Sequence, residues 1–324
     1  MTRLERKIIT SIPIAFILNK SKHWYLPGFE GVPLYDVVRF FYRQVKTVGL
    51  TERASAIAYN FLMAIPPSFL FLFTLIPNLP FIKKREIFKQ LSLIIKDIIP
   101  AEGYNRTIIT FIDKTFFQTP VFGLLSFGLL LALFFASNAM MGLMRSFNKN
   151  YHGFERRVGL HTRWVAIRLT VLIFGLVLGC LVILITQGAV LKFFGLRSAF
   201  WLALILYLRW LVIIALIFYS IAFIYKYAPA VQKKWKLVSP GTILATFLCI
   251  AASLGFSSFV NSFGRYNALY GSIGTIIVLM ALVFINSLVL LIGFELNVSI
   301  KTLKARAEQR DAKEKLQLAA QKNT

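Results

Sequence analysis

Arg209 lies inside a long apolar run of this 324-residue chain. A charge in such a run either serves a binding role or belongs to a side chain that reaches the membrane surface. Arg209 lies about eight residues past Trp201, which is roughly 12 Å along a helix. A central arginine costs a membrane helix about 2.5–3.5 kcal/mol, so such residues usually face a bundle interior or a water-filled path. Arg209 is therefore a candidate contact for an anion, a backbone carbonyl or water. Alternatively, its long side chain reaches the membrane surface.

Glu295 is the one acidic residue within the apolar runs, and it lies shortly before Lys301, where the last run ends. Arg53, Arg145 and Arg168 stand at the same predicted level on three other runs. Buried charges are normally paired, so Glu295 predicts an ion pair with one of these arginines that clamps helix ends together. A role in coupling or proton handling is the alternative.

Three amides and two adjacent prolines also lie inside the apolar runs. Asn60, Asn138 and Asn286 either line a polar cavity or join helices through hydrogen bonds. Pro66 and Pro67 each remove a backbone donor and should kink or break their helix. That feature is either a packing kink or a hinge that borders a cavity.

The sequence offers no assembled catalytic site. Its two cysteines, Cys180 and Cys249, lie in apolar runs, where a free cysteine behaves as a small hydrophobic residue. The three histidines are scattered and match no metal-ligand spacing. We therefore expect no metal site, no cofactor and no enzymatic activity.

The elements that must position these residues are membrane helices. The chain is 57% hydrophobic and only 15% charged, with a mean hydropathy of +0.69. These values exclude an ordinary soluble protein, a disulfide scaffold and a disordered chain. Six runs are long enough to cross a bilayer as helices: Ala54–Leu79, Pro120–Met144, Ala166–Phe194, Trp201–Tyr225, Val238–Phe263 and Tyr270–Ile300. The fold class predicted is an all-α, six-span membrane protein.

The net charge of +24 reports topology rather than a nucleic-acid partner. Of 37 Lys and Arg residues, 25 fall in the segments on the side of the termini and ten fall on the other side. The positive-inside rule therefore predicts that both termini are cytoplasmic. We expect a cytoplasmic segment over 1–50, a membrane domain over 51–300 and a cytoplasmic helical tail over 301–324. The expected partners are membrane lipids, especially anionic ones.

Two stretches outside the spans have the periodicity of amphipathic helices, one at Leu34–Val48 and one at Glu86–Ile98. The second belongs to a predicted external loop over about 81–119. Each helix either lies on lipid as an interfacial helix or packs on the bundle. The shorter apolar run Ile8–Leu18 is interpreted as an uncleaved segment at the membrane surface.

Three motifs resemble the YihY/virulence factor BrkB family: "TERASAIAYNFLMAIPPSFLFLFTLIP" (Thr51–Pro77), "SNAMMGLMRSFNKNY" (Ser137–Tyr151) and "YGSIGTIIVLMALVFINSLVLLIGFELN" (Tyr270–Asn297). The likeness covers about residues 35–300. One departure is Ala64-Ile65-Pro66-Pro67, where the family pattern has Ser-Leu-x-Pro. The family positions found in this chain are Ala58, Tyr59, Pro67, Asn138, Arg145, Asn148, Tyr270, Gly271, Gly293 and Glu295.

This resemblance implies a six-span bacterial inner-membrane protein of unsettled biochemistry, whose relatives are named as virulence factors or as ribonuclease BN. Metal-dependent RNA cleavage needs a cluster of His and carboxylate ligands, which this sequence lacks. We expect a transporter or flippase-like protein for an amphipathic anionic envelope compound, with a non-transporting envelope scaffold as the alternative. The candidate substrate-path residues are Arg209, Asn60, Asn138, Asn286, Tyr59, Pro66 and Pro67. Substrate, direction of transport and oligomeric state, including a homo-oligomer, stay open.

Overall fold

The computed structural model describes residues 20, 22, 24–75, 84–98, 102–114, 122–148, 159–193, 199–231, 234–262 and 265–322. Their helices are α1 (Leu34–Thr47), α2 (Leu50–Leu75), α3 (Lys84–Ile98), α4 (Glu102–Ile112), α5 (Phe122–Phe147), α6 (Leu160–Phe193), α7 (Ala199–Tyr227), α8 (Pro240–Ser262) and α9 (Arg265–Lys322). The all-α fold class is confirmed. The Ile8–Leu18 segment lies outside the described residues.

Six of these helices, α2 and α5 to α9, are long and apolar enough to cross a membrane, which confirms the predicted spans. Each span packs on the next in chain order, and α9 packs back on α2. The six spans therefore form a closed ring. Successive spans run in opposite directions, so the start of α2 and the end of α5 lie at one end of this ring, which we call the Glu295 end. The opposite end is the Arg209 end.

The double proline does not break the first span. Pro66 and Pro67 both lie inside the continuous helix α2, which excludes the break and leaves the packing kink as the prediction. Proline fixes φ near −65°, a value that an α-helix also uses. The chain therefore continues through them, at the cost of two backbone hydrogen bonds and of the contact between each ring and the carbonyl four residues earlier.

Both amphipathic stretches form helices, and both pack on the protein. The apolar side of α1 contributes Val37 and Phe41 to a cluster with Leu296 of α9. In the loop predicted over about 81–119, Leu91 of α3 packs with Ile112 of α4. The helix α4 was missed, because its Gly103 and its β-branched residues lower helix propensity.

The last span continues beyond its apolar part as the predicted helical tail. Helix α9 has 58 residues, and an uninterrupted run of exposed side chains begins at Ala305. At about 1.5 Å per residue the helix is roughly 87 Å long, nearly three times the hydrocarbon thickness of a bilayer.

Candidate functional site

A cavity of about 570 Å³ lies at the centre of the ring. All six spans contribute to its wall, for example Phe61, Ala139, Thr170, Ser220, Cys249 and Asn286. Ligand pockets in proteins commonly have about 300–1,000 Å³. The cavity is therefore large enough to hold a substrate-sized group in the middle of the membrane domain.

The wall of this cavity is apolar, and its described lining residues carry no charge. The Ser68 and Thr170 hydroxyls donate to carbonyl oxygens of their own helices, at 2.7 and 2.8 Å. The Asn286 amide does the same at 3.0 Å. A charged group placed here would lose its hydration without a matching partner. The cavity suits hydrocarbon.

An ion pair closes the Glu295 end of the ring. Arg53 Nη1 donates to Glu295 Oε1 at 2.6 Å, and the two side chains are only 5% and 0% exposed. Arg53 Nη2 also donates to the carbonyl oxygen of Ser146. One guanidinium therefore ties α2 to both α5 and α9.

Four aromatic rings pack beside this ion pair. Phe147 and Phe294 stack with ring centroids 4.0 Å apart, and Trp235 lies 5.4 Å from Phe294. Tyr225 meets Phe147 edge-on at 6.0 Å and donates its hydroxyl to the Leu290 carbonyl at 2.6 Å. We call Phe147, Tyr225, Trp235 and Phe294 the aromatic cluster.

The aromatic cluster separates the cavity from the Glu295 end. Ile224 and Leu290 line the cavity, and Tyr225 and Phe294 follow them by one and four residues. All four aromatic side chains are buried. The cavity is thus sealed on this side by ring packing and by the ion pair beyond it.

Helices α8 and α9 approach very closely at the same end. A Cβ on Gly293 would lie 2.6 Å from the Gly241 carbonyl oxygen and 2.6 Å from the Tyr225 hydroxyl. Asn297 accepts a hydrogen bond from the Gly241 N–H and donates to Ser239 Oγ, both at 2.9 Å. This junction was not predicted from the sequence, although Ser-Pro-Gly-Thr at 239–242 was a signal for it.

The other two candidate amides serve helix packing. Asn60 donates to the Ala56 carbonyl at 2.7 Å and lies against Gly142, where a Cβ would be 2.8 Å from its amide nitrogen. Asn138 accepts a hydrogen bond from Arg163, a partner that sequence reasoning did not name. Of the three amides, Asn286 is the one on the cavity wall described above.

Arg209 points into the bundle rather than outward. It is 8% exposed, while its neighbours Leu208 and Trp210 are 52% and 53% exposed. Leu216 and Ser220, seven and eleven residues later, lie on the same helix face and line the cavity. Arg209 therefore lies on the cavity-facing side of α7, roughly 10 Å along the helix from Leu216.

The remaining sequence candidates lie away from the cavity wall. Tyr59 and Pro66 are exposed on α2, and Pro67 is half-buried. Arg145 and Arg168 are exposed, and Arg168 stacks over the Trp164 ring at 5.3 Å. Among the described ion pairs, Glu295 is joined to Arg53 rather than to these two arginines.

A family model described as "Virulence factor BrkB" matches residues 41–318. A relative named "Putative ribonuclease-like protein YfkH" from Bacillus subtilis (strain 168) is 29% identical over 78% of this chain and 90% of its own length. A "UPF0761 membrane protein" from Tolumonas auensis is 26% identical over 82% of this chain and 88% of its own. Another from Stenotrophomonas maltophilia (strain K279a) is 25% identical over 82% of this chain and 61% of its own. No solved structure matches.

Proposed function

This chain belongs to the virulence factor BrkB family of integral membrane proteins, and we propose that it is a transporter or flippase-like protein of the bacterial inner membrane. Its substrate is an amphipathic anionic compound of the cell envelope. The observation that carries this proposal is the cavity of about 570 Å³ inside the ring of six spans. The pocket is bordered by all six spans and reaches the exposed side chains of Phe69 and Ser253, so a ligand can enter it, and its volume is in the range of ligand sites.

The distribution of polarity supports an amphipathic substrate. The cavity wall is apolar and accommodates hydrocarbon, whereas Arg209 lies beyond it on the same face of α7. A guanidinium is suited to a phosphate or carboxylate group. The hydrocarbon part of the substrate then occupies the cavity while its anionic group lies at the Arg209 end.

The seal at the Glu295 end supports alternating access. A transported molecule must leave on the side opposite to its entry, so the aromatic cluster has to part during the cycle. The described conformation is the one closed at this end. Because the positive-inside rule assigns this end to the cytoplasm, it corresponds to the inward-closed state.

A non-transporting envelope scaffold is the second candidate. It is favoured by Asn60 and Asn138, whose bonds to Ala56 and Arg163 are sufficiently explained by helix packing. The ribonuclease-like name belongs to the Bacillus relative. Within the described ranges, no three His, Cys, Asp or Glu side chains are grouped so that they could hold a metal ion. The described residues therefore offer no observation in favour of RNA cleavage.

Transport is tested with purified protein in liposomes that contain a fluorescent short-chain phosphatidylglycerol. Movement of the probe between leaflets is followed by chemical quenching of the outer leaflet. Ala64→Phe places a ring in the cavity, because Ala64 is buried on its wall. Ala56→Phe makes the same change at an exposed position of the same helix. We expect about tenfold slower movement for the first variant and near wild-type movement for the second, since only the first fills the cavity.

A second cavity variant keeps the test decisive if Ala64→Phe fails to fold. Ser253→Phe adds a ring to the cavity from α8 at a residue whose side chain is exposed, so the core need not repack. Its rate should fall as well. Movement no faster than in protein-free liposomes, or equal rates for the cavity and control variants, would contradict the proposal and leave the scaffold in its place.

A further inference from the structure

Helix α1 carries a stripe of alternating aromatic and basic residues on its exposed side. Tyr35, Arg39, Tyr42 and Lys46 follow one another at four-, three- and four-residue intervals, so they lie on one face. Tyr42 is 59% exposed, and Arg39 and Lys46 are exposed. The Lys46 ammonium lies 4.4 Å from the centre of the Tyr42 ring. The stripe combines apolar rings and positive charge on a single surface.

The opposite face of α1 packs on the spans, and this packing determines the level of the stripe relative to the membrane. Val37 is fully buried, and it packs with Leu296 and Ile300 of α9 and with Leu244 of α8. Ile300 is the last apolar residue before the basic tail, and Leu244 lies one turn after the start of α8. The helix therefore lies at the level where the apolar parts of two spans end, which is the boundary between lipid tails and headgroups.

A loop before α1 extends the same surface. Trp24, Tyr25 and Leu26 are 49%, 62% and 41% exposed. The N–H of Leu34 donates to the Trp24 carbonyl at 2.9 Å, which holds this loop against the start of α1. Lys22 lies over the Tyr35 ring at 5.6 Å and joins the loop to the stripe.

We propose that this surface is a binding site for the headgroups of anionic phospholipids. Its members are Lys22, Trp24, Tyr25, Leu26, Tyr35, Val38, Arg39, Tyr42, Arg43 and Lys46, and we call it the basic-aromatic collar. Tyrosine and tryptophan rings favour the level of the headgroups, and each nearby basic residue adds attraction to an anionic surface. The proposal does not depend on transport.

Charge and position together favour lipid over a protein partner. The exposed side of α1 carries Arg39, Arg43 and Lys46 against the single acidic residue Asp36. Val38 is 53% exposed among these charges, and an apolar side chain there gains from entering the acyl boundary. An uncharged membrane surface would satisfy the rings but would leave the basic residues without counter-charges.

The test places an environment-sensitive fluorophore on Val38→Cys in the full-length protein. Cys180 and Cys249 are both buried, and they are replaced by alanine so that labelling is specific. The labelled protein is reconstituted into mixed phosphatidylcholine and phosphatidylglycerol liposomes in which one lipid or the other carries brominated chains. Quenching then reports which lipid contacts the collar. We expect brominated phosphatidylglycerol to quench more strongly than its mole fraction predicts.

A matched pair of charge variants separates the collar from general attraction. Replacing Arg39, Arg43 and Lys46 by glutamine should lower the preference for phosphatidylglycerol at least fivefold, because each basic residue near an anionic surface adds to the attraction. The control replaces Arg310, Lys313 and Lys315 of the exposed tail by glutamine and should leave the preference unchanged.

Three outcomes would overturn the proposal. Equal quenching by the two lipids would show no preference for negative charge. An equal loss of preference in both triple variants would assign it to the net charge of the chain. A label quenched by neither lipid would place the collar away from the membrane surface, as contact with a protein partner or a second copy requires.

Discussion

Replacing Glu295 by glutamine should destabilise the protein strongly, because it leaves the Arg53 guanidinium buried without its counter-charge. Glu295 is 0% exposed and lies 2.6 Å from Arg53, which is itself 5% exposed. Removing one partner of a buried ion pair costs about 3–5 kcal/mol. Arg53 keeps its bond to the Ser146 carbonyl, and the glutamine oxygen can still accept a hydrogen bond. The expected loss is therefore at the lower end of that range, about 3 kcal/mol.

The free energy of unfolding is measured by denaturant titration in a mild detergent. Thermal unfolding supplies a second measure: at about 2–4 °C per kcal/mol, Tm should fall by roughly 6 °C or more. Glu308→Gln is the matched control. Glu308 is 68% exposed and lies 3.8 Å from Lys304, and such surface pairs contribute about 0–1 kcal/mol.

A paired replacement distinguishes the lost charge from lost packing. Arg53→Met combined with Glu295→Leu removes both charges and keeps similar volumes, so it should restore most of the stability that Glu295→Gln loses. The reasoning is refuted if Glu295→Gln behaves like the Glu308 control. It is also refuted if the double variant loses as much as both single changes together.

Two further predictions concern the same end of the bundle. Gly293→Ala forces a Cβ against the Gly241 carbonyl and should lower the free energy of unfolding by about 1–3 kcal/mol. Gly255→Ala is the control, because no atom lies within 4 Å of the new Cβ, and it should leave the free energy of unfolding unchanged. Glu30 pairs with Lys301 at 2.5 Å; partial burial acts to raise the Glu30 pKa, but the hydrogen bonds and charges of two lysines hold it below its ordinary value. This pair therefore stabilises docking of the α1 region on α9 above the ordinary carboxyl pKa of about 4.3, and the effect is lost as the pH falls through the lowered value. Spin-label distances between α1 and α9 should lengthen on acidification, and lengthening on alkalinisation would contradict the assignment.

The sequence specifies the spans because bilayer thickness leaves little choice for apolar runs of about 20 residues. It also placed Glu295 and Arg53 at one level, since both lie a few residues from a span end. The sequence alone does not show which of three arginines pairs with Glu295, because that depends on which helices are neighbours in the ring. Nor could it foresee the Ser146 carbonyl as a partner, because every residue carries one.

The amides show where local pattern stops being informative. Asn60, Asn138 and Asn286 look alike in sequence, and Asn60 and Asn286 make the same bond to a carbonyl of their own helix. Yet Asn60 packs against Gly142, Asn138 accepts a hydrogen bond from Arg163, and Asn286 lines the cavity. The rotation of each helix about its axis determines which neighbour each amide contacts, and packing of the whole bundle sets that rotation. The inward orientation of Arg209 is likewise a property of the whole bundle, since a snorkelling side chain has the same sequence context.

The unbroken helix α9 turns span six into a lever arm. Lys322 lies 27 residues after Glu295, a distance of roughly 40 Å at about 1.5 Å per residue. If the sealing end opens by tilting this helix about 10°, its far end swings by roughly 7 Å, many times the displacement of the rings themselves. A motion too small to follow at Phe294 thus becomes a measurable displacement in water, where a probe on the tail can read it without entering the membrane.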